Sequence, residues 1–138
     1  MVEATLRTHK WHDLSHFGLR VVVGVFFIVH SIGKFDSGSK GFFSSIGLPG
    51  EMAFLIGLLE SIGGILLITG VLTRIASSFL AIEMLGIMVY IKKLQSFSGK
   101  GSLELELLAF VIFLTFIVLG PGRISISHIM KKIPRLLQ

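Results

Sequence analysis

The stretch that decides the fold is Met52–Ile91, MAFLIGLLESIGGILLITGVLTRIASSFLAIEMLGIMVYI. Two apolar blocks lie within it, Met52–Leu72 and Ile75–Ile91, and only Thr73 and Arg74 separate them. Crossing about 30 Å of hydrocarbon takes roughly 20 apolar residues in a helix, so each block approaches the length of one span. A two-residue connection leaves them no option but a tight antiparallel hairpin.

Two further blocks flank the hairpin. Upstream, Leu14–Phe35 contains the uninterrupted run Val21–Val29, bounded by Arg20 and Lys34. Downstream, Leu103–Leu119 stops at Gly120-Pro121-Gly122, a helix terminator. The connection from Asp36 to Gly50 is rich in Gly and Ser, yet it carries Phe42, Phe43, Ile46 and Leu48. Those apolar residues predict an interfacial turn of helix lying on the membrane before Pro49 resets the chain direction. The expected architecture is all-α: an integral membrane four-helix bundle in up-down-up-down order. Its interfacial segment falls between helices one and two, and the tail 123–138 is basic and amphipathic.

Composition agrees. Of 138 residues 52% are hydrophobic and only 15% charged, and the mean hydropathy is +0.85. Soluble domains carry about 25% charge, so the deficit is the telling half. No room remains for a second domain. Cysteine is absent, which excludes disulfides, thiolate metal sites, haem attached through a CxxCH motif and a thiol relay within this chain. The net charge of +5 reflects Lys and Arg beside the apolar blocks, where anionic lipid headgroups are the partner rather than nucleic acid. Four crossings place both termini on one side. That side collects Arg7, Lys10, Arg74, Arg123, Lys131, Lys132 and Arg135, against Lys40, Lys92, Lys93 and Lys100 opposite. The positive-inside rule therefore predicts a multi-pass protein of the cell membrane with cytoplasmic termini.

Charges at membrane depth cost roughly 2.5–3.5 kcal/mol each on insertion scales, so each one needs a reason. Glu60 lies about twelve residues before the hairpin turn and Glu83 about nine after it. At ~1.5 Å per residue their depths differ by only ~5 Å, and they can face each other. One of them would then hold a proton, because two buried like charges split their titrations. His30 and Lys34 are spaced i, i+4 on one face of helix one. Counting from the first connection puts His30 near the depth of Glu60 and Lys34 near the opening of helix four. Glu104 and Glu106 stand there, and only one of them can point inward, since two residues span ~200° of rotation. The expected polar cluster is His30, Lys34, Glu60, Glu83 and one of Glu104 or Glu106. It reads first as polar glue between helices, next as a site for a polar small molecule such as a quinone headgroup or an anion, and last as a conduction path. His9, His12 and His16 recur at spacings of three and four, which is weak as a metal signal beside interfacial Trp11, and no metal site is expected.

These elements together resemble the DoxX family of small four-helix membrane proteins. The matching residues are Arg20-x3-Gly24, His30-Ser31-x-Gly33-Lys34, Gly47-Leu48-Pro49, Gly57-x2-Glu60-x2-Gly63-Gly64, Gly70-x2-Thr73-Arg74 and Gly120-Pro121-Gly122-Arg123. The match runs from about Ser15 to Ser127, and it departs from the family pattern at Ser31, where a glycine is frequent. The resemblance implies a membrane subunit associated with oxidoreductases, related to the DoxD subunit of thiosulfate:quinone oxidoreductase. It also implies motif roles for Arg20, His30, Lys34, Glu60 and Arg74. The resulting expectation is a subunit that supports or anchors a membrane oxidoreductase complex near a quinone or small-substrate site, with no covalent cofactor. Its partners would be membrane lipid together with other oxidoreductase subunits or further copies of itself. Two alternatives stand beside it: a self-contained enzyme of the thiosulfate:quinone type, and a small proton-coupled transporter or lipid- or quinone-binding protein.

Overall fold

The computed structural model describes residues 10–95, 98, 99, 102–129 and 134, and every regular element among them is helical. Helix α1, Lys10–Ile32, runs into a 3-10 turn, Gly33–Phe35; α2 is Ser37–Ser45 and α3 is Glu51–Thr69. Helix α4, Thr73–Gly86, continues as a π-helical turn, Ile87–Ile91, and α5 (Glu104–Leu119) and α6 (Ile126–Ile129) follow. The N-terminal segment through His9, Lys100, and the tail residues Lys131, Lys132 and Arg135 lie outside the described residues. Among the described residues three stretches are long and apolar enough to cross a membrane: Lys10–Phe35, Glu51–Thr69 and Thr73–Ile91. Helix α5 has the composition of a span beyond Glu106 but is 16 residues long, or ~24 Å.

The pairing of helices follows from their contacts. Along α1 and the 3-10 turn that continues it, Arg20 reaches Leu67, Gly24 meets Gly64, Ser31 meets Ser61 and Lys34 meets Glu60. Partner numbers fall as α1 numbers rise, so α1 and α3 are antiparallel. Glycine makes this pair close. A Cβ at Gly24 would stand 2.6 Å from the Gly64 carbonyl oxygen, and a Cβ at Gly64 2.6 Å from that of Gly24, so the two backbones touch where they cross. Helices α4 and α5 are likewise antiparallel, with Arg74 beside Val118 at one end and Lys92 beside Glu106 at the other. Phe27 and His16 of α1 meet Phe113 and Phe116 of α5 edge-on, at ring separations of 5.1 and 5.6 Å.

The α3–α4 hairpin turns on Gly70 and Leu72. Gly70 is left-handed (φ +71°) and caps α3 through its N–H to the Leu66 oxygen at 2.9 Å. Leu72 is also left-handed (φ +50°), a strained conformation that the short connection imposes. The core contains Val23, Phe27, Leu67, Leu80, Met84, Phe113 and Phe116. Around it the usual arrangement is inverted: Arg20, Ser31, Glu60, Thr73, Ser77 and Glu83 are buried, while Val22, Ile62, Ile82 and Val118 face outward. An apolar exterior around a polar interior is what lipid as solvent selects.

Candidate functional site

The hairpin brings Glu60 of α3 and Glu83 of α4 together. Glu60 is fully buried and Glu83 is 9% exposed, and their carboxyls are close enough to interact directly. Lys34 approaches from the 3-10 turn, with its Nζ 3.9 Å from Glu60 Oε1. Glycine again permits the approach: a Cβ at Gly57 would lie 2.9 Å from Lys34 Cβ and 3.1 Å from the Phe35 ring. One helical turn away, the Ser31 and Ser61 hydroxyls share a hydrogen bond of 2.6 Å that fixes α1 against α3. Neither oxygen of Glu60 or of Glu83 has a hydrogen-bond donor among the described residues. The cluster therefore sets two carboxyls against one ammonium in a dry interior, where an unmatched charge is costly.

Two clefts adjoin the cluster. One, of about 450 Å³, is lined by Phe26, Val29, His30, Gly33, Lys34 and Ser39, so Lys34 stands between it and Glu60. The other, of about 470 Å³, is an apolar groove with Glu83 in its lining. Its walls come from α2, α3, α4 and the π-turn that ends α4, where the Lys92 N–H reaches back five residues to the Ile87 oxygen. Such turns widen a helix and occur often at functional sites.

The other predicted residues sit elsewhere. His30 is exposed and stacked on Phe26 at 5.7 Å, so it lines the first cleft and stays outside the buried cluster. Equal depth does not give equal rotation about the helix. Glu104 is exposed, and Glu106 pairs with Lys92 at 2.6 Å rather than with Lys34; Lys92 also donates to the Ser102 carbonyl. Sequence reasoning took Lys92 as a topology charge, although the hairpin register between α4 and α5 places it opposite Glu106. Arg20 is fully buried and donates to the carbonyls of Leu67 and Ile124, with its guanidinium 5.7 Å from the Phe17 ring. Arg74 reaches the Val118 carbonyl at 3.4 Å, at the end of α5. Both arginines satisfy helix-end carbonyls, away from the acid pair. Buried Thr73 and Ser77 were missed, and neither hydroxyl has a partner among the described residues. Short polar residues within an apolar block give too weak a signal. No three His, Asp or Glu side chains converge on a metal position among the described residues.

The sequence model of the DoxX family matches residues 16–93, and the protein of Bacillus subtilis named "Putative oxidoreductase CatD" is 37% identical over 120 residues, covering 82% of this chain and 90% of its own. The chain belongs to the DoxX family. A relative in Mycobacterium tuberculosis, the uncharacterized membrane protein Rv3486, is 33% identical over 133 residues, covering 83% of this chain and 80% of its own. An uncharacterized Haemophilus influenzae protein is 34% identical over 119 residues, covering 80% and 86%. No solved structure matches. The segment matched to the DoxX model contains Lys34, Glu60 and Glu83, whereas Glu104 and Glu106 fall beyond it.

Proposed function

We propose that this DoxX protein is a subunit of a membrane oxidoreductase complex, in which the Lys34–Glu60–Glu83 cluster takes up and returns protons that accompany quinone chemistry at its redox partner. The observation that carries this reading is the facing acid pair at the centre of the bundle with one balancing cation. Coupled carboxyls pass a proton between them at little cost, and Lys34 links the pair to the first cleft. The relative named as an oxidoreductase supports the redox setting. With no cysteine and no metal cluster among the described residues, the electron carriers in this reading belong to the partner. Helix α5 acts as the fourth crossing and makes an up-down-up-down bundle. The end of the bundle near Lys10, Arg74 and Arg123 then faces the cytoplasm across the cell membrane.

The test is purification of the tagged chain from native membranes in mild detergent, with mass spectrometry of all retained proteins. Redox subunits should be recovered at fixed stoichiometry. Glu60→Gln should leave the complex intact while lowering its quinone-linked turnover by ~100-fold, in the range lost with a positioned proton carrier. Recovery of the chain without redox partners would defeat the reading, as would full turnover of the Glu60→Gln complex.

A further inference from the structure

Arg74 is a cation without an anion. It stands in the first turn of α4, at the positive end of the helix dipole, where an arginine is unfavourable unless a negative group joins it. Its guanidinium lies over Gly120, where a Cβ would come within 3.1 Å of Nε and 3.5 Å of Nη2. The one hydrogen bond it donates is the long contact from Nη2 to the Val118 carbonyl, at 3.4 Å. Nε and Nη1 have no acceptor among the described residues, and no carboxylate among them stands within ion-pair distance. The whole end of the bundle is short of acid. Lys10, Arg20, Arg74 and Arg123 share it with Asp13, the one carboxylate there among the described residues.

A cleft of about 380 Å³ starts at this half-buried arginine and runs between α4 and α5. Its walls are Ile75, Phe79 and Ile82 of α4 with Ile117 of α5. Ser78 lines it too, but turns its hydroxyl back to the Arg74 carbonyl at 2.7 Å. From Arg74 to Ile82 the cleft follows the helix axis for ~12 Å, more than a third of the ~30 Å of hydrocarbon. Phe79 and Ile82 are exposed at 55 and 65%, so the cleft opens sideways into the bilayer. It offers an unmatched cation at the level of the headgroups and an apolar trough beneath it.

We propose that this cleft holds one anionic phospholipid, with its phosphate on the Arg74 guanidinium and an acyl chain along Ile75, Phe79 and Ile82. Charge complementarity selects the headgroup, because a phosphate supplies acceptors for the open guanidinium nitrogens and an anion for the α4 terminus at once. The apolar walls select a lipid over a free anion, which would leave the trough empty. A zwitterionic headgroup carries its own cation beside the phosphate and gains less from the arginine. The proposal goes beyond the subunit reading and needs no partner protein.

Native mass spectrometry of the purified full chain tests it, with dioleoyl phosphatidylglycerol or dioleoyl phosphatidylcholine titrated into the detergent. One phosphatidylglycerol should be retained, about 10-fold more tightly than phosphatidylcholine, the range of one hydrogen bond to a charged group. Arg74→Gln should remove that preference, whereas Arg123→Gln, which takes the same charge from an exposed position at the same end, should keep it. Ser78→Phe leaves Arg74 in place, sets a ring where the chain would lie and should lower retention of phosphatidylglycerol. Equal retention of the two lipids by the wild-type chain would overturn the proposal without recourse to any variant. Equal losses from Arg74→Gln and Arg123→Gln would mean a diffuse basic surface rather than this cleft. Displacement of the lipid by millimolar inorganic phosphate would make it a free-anion site, and undiminished binding by a folded Ser78→Phe chain would remove the acyl chain from the cleft; either overturns the lipid assignment. None of these results bears on co-purification of redox subunits, so the two readings fail separately.

Discussion

Replacing Gly64 by alanine probes the contact on which the α1–α3 pair depends. The added Cβ would lie 2.6 Å from the Gly24 carbonyl oxygen and 2.7 Å from Ile28 Cγ1. A carbon and a carbonyl oxygen approach to about 3.3 Å at closest, so the helices must part by roughly 0.7 Å. Gaps of 0.5–1 Å forfeit about a quarter to a half of the dispersion energy of each facing atom pair. Together with overpacking costs of about 1–3 kcal/mol for an unwanted methyl in a tight site, Gly64→Ala is expected to destabilise the protein by roughly 2 kcal/mol. Reversible unfolding in mixed micelles with increasing denaturing detergent measures the change. Gly18→Ala on α1 is the matched control, since a Cβ there meets nothing within 4 Å; relief of glycine's entropy cost should leave it neutral or more stable by up to about 1 kcal/mol. If Gly64→Ala cost no more than Gly18→Ala, the close backbone approach would not be what holds α1 to α3.

Four further substitutions examine the polar contacts and the turn. Arg20→Met removes the donor to the Leu67 and Ile124 carbonyls at a fully buried position, and the same unfolding assay should register a loss of roughly 2–5 kcal/mol. In a double-mutant cycle, Lys92→Met and Glu106→Gln should show a coupling of about 1 kcal/mol or more, because the pair is largely shielded; additive losses would mean the contact contributes nothing. Leu72→Gly relieves a left-handed leucine (φ +50°) and should be neutral to about 1 kcal/mol stabilising, read as a shift in the unfolding midpoint.

Hydropathy made the helices legible because each apolar block is nearly as long as a span. The short Thr73-Arg74 connection also made the Glu60–Glu83 meeting legible, since counting from a tight turn gives depth on both sides. Depth was all that counting could give. Whether His30 pointed in or out depended on the rotation of α1, which is set by the Gly24–Gly64 crossing and turns His30 onto Phe26. Arg20 entered the candidate residues only through the motif that the family resemblance supplied. Its actual partners are the end of α3 and Ile124, a residue beyond α5. No local pattern encodes a contact between the first helix and a segment that follows the last.

That contact has a consequence for biogenesis. Arg20 and Ile124 are separated by 104 residues, so at ~5–20 residues per second the ribosome needs roughly 5–20 s to supply the second carbonyl. Through that interval the first helix sits in the insertion machinery with its guanidinium only partly matched, first by Leu67 and last by Ile124. Ser127 joins in the same final stage by donating to the Gly70 carbonyl. The bundle is thus latched from its own end, and a chain that stops before Ile124 leaves the buried arginine with one of its two carbonyl partners missing.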